Sequence, residues 1–278
     1  MADNQEQVEF WNGEAGDNWV AEQQQMDAMV APISASLLSQ ANGQAGELAL
    51  DVGCGCGDTS LALADLGLKV SGVDISQPML THANTRKAAH HELDFLLGDA
   101  STMSFAHSFD LILSRFGVMF FADPQAAFNN LQGALQEGGR LCFVCWQAPS
   151  LNEWISVPIK VVKPLLPADQ DTAEAPDPEA PGPFAFANPD RLRDILEKAG
   201  FTDIVIAPQS HSMSVGANAE AAAQFCTRMG PVSALLKEQS EETMGQVHAA
   251  LKIALEPFAT DTGVKLNTAT WLVSAQKA

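Results

Sequence analysis

The chain has 278 residues, 46% of them hydrophobic and 18% charged, which is apolar material for one large domain or a domain with an appendage and a stretch for two independent folds. Its 34 acidic against 15 basic residues give a formal charge of -19 with no visible Lys/Arg cluster. Such a surface repels phosphate backbones and anionic headgroups, so nucleic acid and membrane surfaces are not expected among its partners.

Five cysteines, Cys54, Cys56, Cys142, Cys145 and Cys226, are an odd number in a chain large enough to fold without staples. That predicts reduced thiols and a cytoplasmic protein. The opening residues, Met-Ala-Asp-Asn-Gln-Glu-Gln, show neither the basic nor the apolar region of a secretory signal. The most apolar stretch, residues 111–122, is interrupted by Arg115 and falls short of the roughly 20 residues a spanning helix needs.

Along residues 19–38 the apolar positions Met26, Met29 or Val30, Ile33 and Leu37 recur at helical spacing. Pro32 is expected to kink this run or split it in two. Residues 47–52 form a short apolar run ended by a glycine-rich turn, and residues 58–66 resume helical spacing with Asp58 or Thr59 as the start. The alternation repeats with a strand at 69–74, a helix at 77–89 and a strand at 93–98. A fourth strand at 109–114 precedes a helix over 124–135, which Gly138-Gly139 is expected to close before a fifth strand at 140–146. Strands alternating with helices predict an α/β fold, a doubly wound parallel sheet covered on both faces.

Beyond Trp146 the pattern loosens. Residues 152–166 read as helical, whereas 169–183 hold four prolines and five acidic residues and read as a surface linker or a mobile lid. A helix over 189–199 ends at Gly200, and 201–207 read as a sixth strand. A helical insert follows, marked by Met244, Val247, Leu251, Leu255 and Phe258. In the closing strand, 264–275, Leu266, Thr268, Thr270, Leu272 and Ser274 alternate with their neighbours.

The most informative segment is Leu50-Asp51-Val52-Gly53-Cys54-Gly55-Cys56-Gly57-Asp58, with a glycine at every second position between a strand and a helix. Such glycines let the backbone turn tightly and let a ligand lie against the helix N-terminus. Asp74, at the end of the second strand, is placed to accept from ribose hydroxyls, so the pair points to a nucleoside-bearing cofactor. A dinucleotide fingerprint would put its third glycine three residues after the second, but Gly57 comes two after Gly55, and Asp51 sets a carboxylate just before the loop. A pyrophosphate disfavours that carboxylate. A cofactor carrying a sulfonium and an ammonium group does not.

These residues resemble the class I S-adenosylmethionine-dependent methyltransferases, in particular the ubiquinone/menaquinone-methyltransferase-like group, over about residues 48–146 and more weakly beyond. The resemblance implies S-adenosylmethionine as cofactor and S-adenosylhomocysteine as its product. It also implies a Rossmann-like, doubly wound, seven-stranded, mostly parallel sheet with an antiparallel last strand, preceded by N-terminal helices and carrying a helical insert before that strand. On this reading residues 1–46 are a helical cap or lid, 47–210 with 260–278 the cofactor-binding domain, and 211–259 an insert over the substrate pocket. Asp51, Gly53, Gly55 and Gly57, with the intervening Cys54, look like the motif that holds the methionine part. Asp74 and Ile75 look like the ribose-binding acid and its adenine-packing neighbour, and Met79 is counted in the same pocket. Gly98-Asp99-Ala100 is similar to the segment whose aspartate receives the adenine amino group. Ser114-Arg115-Phe116 occupies the position that lines the methyl-transfer site. Gly138-Gly139-Arg140-Leu141 resembles the turn into the fifth strand. Cys56 departs from the family's usual threonine or serine.

An in-line methyl displacement asks for alignment and exclusion of water. A general base is required only if the acceptor arrives protonated. No catalytic residue is identified outright. Arg115 is a candidate clamp for an anionic acceptor, or else it answers a neighbouring aspartate. Arg115→Met is expected to leave cofactor affinity unchanged and to raise the acceptor's KM only if that acceptor is anionic. His211 is a candidate base or an ordinary surface or core histidine. Phe116, Met119 and Phe120 form an apolar wall or plain core. Trp11 and Trp19 belong to a glycine-hinged lid or anchor a helix, and Trp146 or Trp154 is suited to stack on a flat acceptor. His90 and His91, adjacent on a predicted helix, point too far apart to share a metal, and neither they nor the cysteines suggest a metal site. The resulting expectation is an enzyme that methylates a small-molecule acceptor, with no position taken on oligomeric state. Its rivals are a cofactor-binding protein without turnover, an NAD-dependent oxidoreductase and a methylase of macromolecules.

Overall fold

A computed structural model describes residues 4–87, 91–166, 177–237 and 239–278. Residues 88 and 89 of the predicted second α/β helix, His90, and the acidic proline-rich stretch up to residue 176 lie outside the described residues.

The chain opens with three helices, α1 (Gln5–Asn12), α2 (Glu14–Ala21) and α3 (Gln23–Ala41). Pro32 does not split α3. The helix runs through it because Met26, Met29, Val30, Ile33, Leu37 and Ala41 are buried along one face, while Pro32 itself is exposed. Burial on that scale outweighs one lost backbone hydrogen bond and a ring clash of about 3 kcal/mol. The break comes at Glu22 instead.

The α/β alternation then follows as β1 (Leu48–Val52), α4 (Asp58–Asp65), β2 (Lys69–Asp74), α5 (Gln77–Arg86), β3 (Leu93–Leu97) and β4 (Phe109–Arg115), and continues with α6 (Pro124–Ala134) and β5 (Leu135–Trp146). Gly138 and Gly139 do not close α6. That helix ends at Ala134, Leu135 already pairs with Phe109, and the register slips before Leu111 meets Arg140. The glycine pair is thus a bulge inside β5, where the added residues need backbone freedom and no side chain.

After β5 come α7 (Glu153–Val162), α8 (Pro189–Lys198), β6 (Phe201–Gly216), α9 (Ala219–Arg228), α10 (Pro231–Leu235), α11 (Glu241–Leu255), the two-residue β7 (Ala259–Thr260) and β8 (Gly263–Lys277). β6 is nine residues longer than its apolar run predicts. Gln209, His211, Met213 and Val215 are more buried than the exposed Ser210, Ser212 and Ser214 that alternate with them, so the strand pattern persists through this polar stretch. β7 pairs with β8 and raises the strand count to eight, one more than expected.

The strand order is β3-β2-β1-β4-β5-β8-β6. Strands β1 to β5 are parallel to one another, and β8 runs antiparallel to β5 from Arg140↔Gln276 to Trp146↔Thr270. From β1 the chain proceeds outward to β2 and β3, then returns to place β4 on β1's other side. The order therefore reverses between β1 and β4, the point at which a doubly wound sheet offers a ligand crevice outside the strands' carboxyl ends. β1 is central, and its near-unbroken apolar sequence reflects burial on both faces.

The described residues form two compact units. One comprises residues 1–146, 179–208 and 270–278, and the other 147–178 and 209–269. The N-terminal helices thus belong with β1–β5, and α7 with the insert. In the first unit Phe128 is at the centre of the core, its ring 5.7 to 6.1 Å from those of Phe121, Phe143 and Phe186. In the second, α11 packs on α7 and α9 with Val247, Leu251 and Leu255 buried. There the buried Asn152 accepts from the Ala269 N–H at 2.9 Å and donates to the Ala269 and Ala148 carbonyls. Among the described residues no helix is long and apolar enough to cross a membrane.

The two units allow a paired test of packing. A methyl at Gly117 would lie 2.5 Å from the Val52 carbonyl oxygen and 2.8 Å from Gly53 Cα, whereas one at Gly245, inside α11, meets nothing within 4 Å. Gly117→Ala should cost about 2–3 kcal/mol, and Gly245→Ala should add about 0.5–1 kcal/mol. Urea unfolding of the two variants beside the parent checks both signs.

Candidate active site at the carboxyl edge of the sheet

Asp51 is the fourth residue of β1 and has no solvent exposure. Its Oδ2 accepts from Thr59 Oγ1 at 2.7 Å and Ser60 Oγ at 2.6 Å, both in the first turn of α4. Its Oδ1 is buried with no hydrogen-bond donor. Burial raises this carboxyl to about 6, against the pull of the two hydroxyls and Arg115.

The glycine loop is built on this base. The Gly53 and Cys54 N–H groups donate to the Val73 carbonyl, and Gly57 N–H donates to the Cys54 carbonyl. The three glycines serve different purposes. A methyl on Gly53 would strike the Gly117 backbone at 2.6 Å, and one on Gly57 would strike the Phe95 ring at 2.6 Å. Those two are glycine because protein packs against them. At Gly55 the nearest atom is Met79 Sδ at 3.5 Å, so its open side is available to a ligand.

Asp74 closes the opposite side. Its Oδ2 accepts from Gly55 N–H at 2.7 Å and its Oδ1 from Ser76 N–H at 2.8 Å. Burial raises its carboxyl above the ordinary value, and those N–H groups oppose the rise. Ile75 is half-buried beside it. Asp99 is half-buried after β3 and accepts from Ser101 N–H, and Ala100 is buried with its carbonyl taken by Asn130. Cys54 and Cys56 are both buried, and burial pushes the Cys56 thiol up to about 12.

At the end of β4 the Ser114 hydroxyl donates to the Val52 carbonyl at 2.7 Å and accepts from the Gly117 and Val118 N–H groups. It fastens β4 to β1 and has no donor left for a ligand. Arg115 spends its donors on Asp58 at 2.6 Å, Ser34 at 2.8 Å and Asp27 at 3.3 Å. Phe116 has φ +67, a left-handed backbone rare for an aromatic residue, and its ring stacks on Trp146 at 4.2 Å and 10°. Met119 is buried. Trp11 meets Trp19 and Phe120 edge-on, at 6.0 and 5.4 Å.

His211 lies in the second unit, on β6, with its Nε2 buried and without a partner, and burial lowers its pKa. Trp154 is also in that unit. His91 lies in a turn before β3, not on a helix as the sequence suggests. Among the described residues no group of three His, Cys, Asp or Glu converges as a metal ion requires.

Sequence reasoning missed several contributors. Asn12 donates to the Ile75 carbonyl at 2.8 Å and accepts from Gln77 N–H, while Ser76 Oγ donates to the Trp11 carbonyl at 2.7 Å. These bonds tie the α1–α2 junction to the Asp74 turn. Ser76 before Gln77-Pro78 is legible as a helix cap, but its bond to Trp11 spans 65 positions and leaves no local signal. The same is true of Asp27 and Arg86, both near the loop.

Residues 50–143 match a family model described as a methyltransferase domain. A demethylmenaquinone methyltransferase of Paenarthrobacter aurescens is 30% identical over 165 residues, covering 57% of this chain and 64% of that protein. An uncharacterized protein of Mycobacterium bovis is likewise 30% identical, over 53% of its length. The chain thus spans 64% and 53% of the length of these two relatives. Among solved structures, magnesium protoporphyrin IX methyltransferase from Synechocystis with bound S-adenosylhomocysteine superposes with a TM-score of 0.56 at 16% identity, over 99% of both chains. A phosphoethanolamine N-methyltransferase of Haemonchus contortus in complex with S-adenosylmethionine gives 0.58 at 18% identity, over 97% of this chain and 59% of that one. The fold, the glycine loop and these likenesses agree: the chain carries a domain of the class I S-adenosylmethionine-dependent methyltransferase family.

Proposed function

We propose that this protein transfers the methyl group of S-adenosylmethionine to a small-molecule acceptor by in-line displacement. The observation that carries the reading is the donorless Oδ1 of the buried Asp51 at the foot of a glycine loop. A ligand bearing an ammonium group supplies the positive charge this carboxylate lacks, while a pyrophosphate adds a repulsion. The same point disfavours a nicotinamide dinucleotide.

Within this reading Gly55 gives the cofactor room against the backbone, Asp74 orients the ribose, and Ile75, Met79, Asp99 and Ala100 enclose the adenine. When bound, S-adenosylmethionine supplies an electrophilic methyl on a positively charged sulfur. The protein's part is to align the acceptor and keep water out, an effect worth up to about 7–11 kcal/mol in favourable cases. Trp11, Trp19 and Phe116, the last backed by the buried Trp146, provide apolar surface for that purpose. The strong negative charge of the chain favours a metabolite over a nucleic acid as acceptor. Five free, buried thiols suit a reducing compartment such as the cytoplasm.

Calorimetric titration with S-adenosylmethionine and S-adenosylhomocysteine tests the cofactor, and labelled methyl transfer into a metabolite extract tests the reaction. The expected result is binding of both and a mass gain of one methyl on one compound. Binding without any labelled product would leave a cofactor-binding protein, and protection from thermal unfolding by NAD alone would overturn the reading.

Asp74→Ala should weaken cofactor affinity about 10- to 100-fold, since a charge-assisted hydrogen-bond acceptor is worth about 1.5–3 kcal/mol. The same titration reads it, and an unchanged affinity would refute the ribose assignment.

Asp51 gives a pH prediction for the cofactor-free protein. Its folded pKa, about 6, lies above the ordinary 3.8. Folding therefore favours the protonated form, and the associated stability is present below about pH 4 and lost as pH rises through 6. Asp51→Asn removes the cost of ionisation. The variant should be more stable than the parent by up to ~3 kcal/mol at pH 8, and the gap should close toward pH 4. Denaturant unfolding from pH 4 to 8 checks this; a gap independent of pH would show that Asp51 is not the group titrating.

A further inference from the structure

We propose that Asp27, Asp58, Arg86 and Arg115 form a closed ring of alternating charge that positions the carboxyl end of the glycine loop, with Arg86 as the positioning residue that grips the loop itself. The inference rests on the reading of that loop as the cofactor cradle.

The ring closes through four contacts. Arg86 Nη2 lies 3.2 Å from Asp27 Oδ2, and the other oxygen of Asp27 lies 3.3 Å from Arg115 Nη2. Arg115 Nη1 meets Asp58 Oδ2 at 2.6 Å, and Asp58 Oδ1 returns to Arg86 Nη2 at 3.7 Å. Each carboxylate is shared by two guanidinium groups and each guanidinium by two carboxylates, so the set carries no net charge. The four side chains are only 10% to 30% exposed, which places them where solvent and salt screen them less than a surface pair.

The members come from α3, α4, α5 and β4, four elements far apart in sequence. Two contacts reach the loop. Arg86 Nη1 donates to the Cys56 carbonyl at 2.6 Å, and Asp58 is the residue directly after Gly57. The loop's other end is already fixed, by the Val73 carbonyl at Gly53 and Cys54 and by Asp74 at Gly55. Without the ring, the Cys56–Asp58 end has the Gly57 N–H bond to Cys54 and the start of α4 to hold it. The ring is thus a second anchor, and it makes the loop's conformation depend on α3, whose Asp27 is tied to it through the two arginines. Further hydrogen bonds support α3 in this: Gln23 donates to Asp27 and its amide oxygen meets His82 on α5, while Ser34 accepts from Arg115.

The arrangement assigns Arg115 to the loop rather than to the acceptor, which reverses the expectation that its loss spares the cofactor. It also accounts for arginine at both positions: Arg86 meets the two aspartates with Nη2 while Nη1 holds the Cys56 carbonyl, and Arg115 divides Nη1 and Nη2 between the two aspartates, a spread of donors over separate nitrogens that a lysine lacks.

The test uses S-adenosylhomocysteine titrations of the full chain, with far-UV circular dichroism to confirm folding. Arg86→Met should weaken binding about ten-fold, the scale of one hydrogen bond to a charged group. Arg86→Lys should recover part of that loss. Arg115→Met and Asp27→Asn should weaken binding several-fold, Arg115 acting through Asp58 and Asp27 through the two arginines. A ligand-free readout accompanies them: hydrogen exchange in a peptide spanning residues 53–60 should quicken about ten-fold in Arg86→Met. If Arg86→Met and Asp27→Asn bind like the parent, or lose thermal stability with unchanged affinity and loop exchange, the ring is only a structural tie and the proposal falls. If the parent itself binds no S-adenosylhomocysteine, the cofactor reading fails, and unchanged loop exchange in Arg86→Met then overturns the ring independently.

Discussion

Two backbones meet where the sheet reverses direction, and the crevice depends on their contact. Gly53 follows β1 and Gly117 follows β4, and each would drive a methyl into the other. The Ser114 hydroxyl locks the approach by bonding to Val52 on one side and to the Gly117 and Val118 N–H groups on the other. Because the loop is drawn against β4 at this point, Gly55 turns its open side outward and Asp74 can reach its N–H. A side chain at either glycine would push the two strand ends apart and move every group that lines the crevice.

Charge is arranged around this contact in two contrasting ways. Asp51 and Asp74 are buried carboxylates held by neutral N–H and O–H donors, and burial raises both pKa values. They remain short of positive charge. A few residues away, Asp27 and Asp58 are saturated by two arginines. In a chain with more than twice as many acidic as basic residues, spending two arginines on one enclosed cluster leaves the cradle electronegative. Such a field draws in a cation and discourages a phosphate.

The parts of this architecture that were legible in the sequence are those with a local physical cause. β1 reads as a strand because a central strand is apolar on both faces, and the glycine loop reads as a cradle because alternate glycines between a strand and a helix have few other uses. Boundaries set by tertiary contacts were not legible. Gly138-Gly139 resembles a helix stop in isolation, but pairing of Leu135 with Phe109 makes it a bulge. Pro32 looks like a breaker until the burial along α3 is known. In the site, Asp51 and Asp74 were legible from their strand-end positions. Asn12, Asp27 and Arg86 were not, since the partners that tie each of them to the site are 28 or more positions away and no periodicity marks such pairs.

The stitching of Asn12 and the Trp11 carbonyl to the Asp74 turn has a practical side. α1 has eight residues and is therefore only about 12 Å long, so anything attached ahead of it sits one short helix from the Asp74 turn. A tag, dye or surface linkage at that end would report on, and interfere with, the turn beside the crevice, whereas a label on the exposed Ile253 of α11 would sit in the other compact unit.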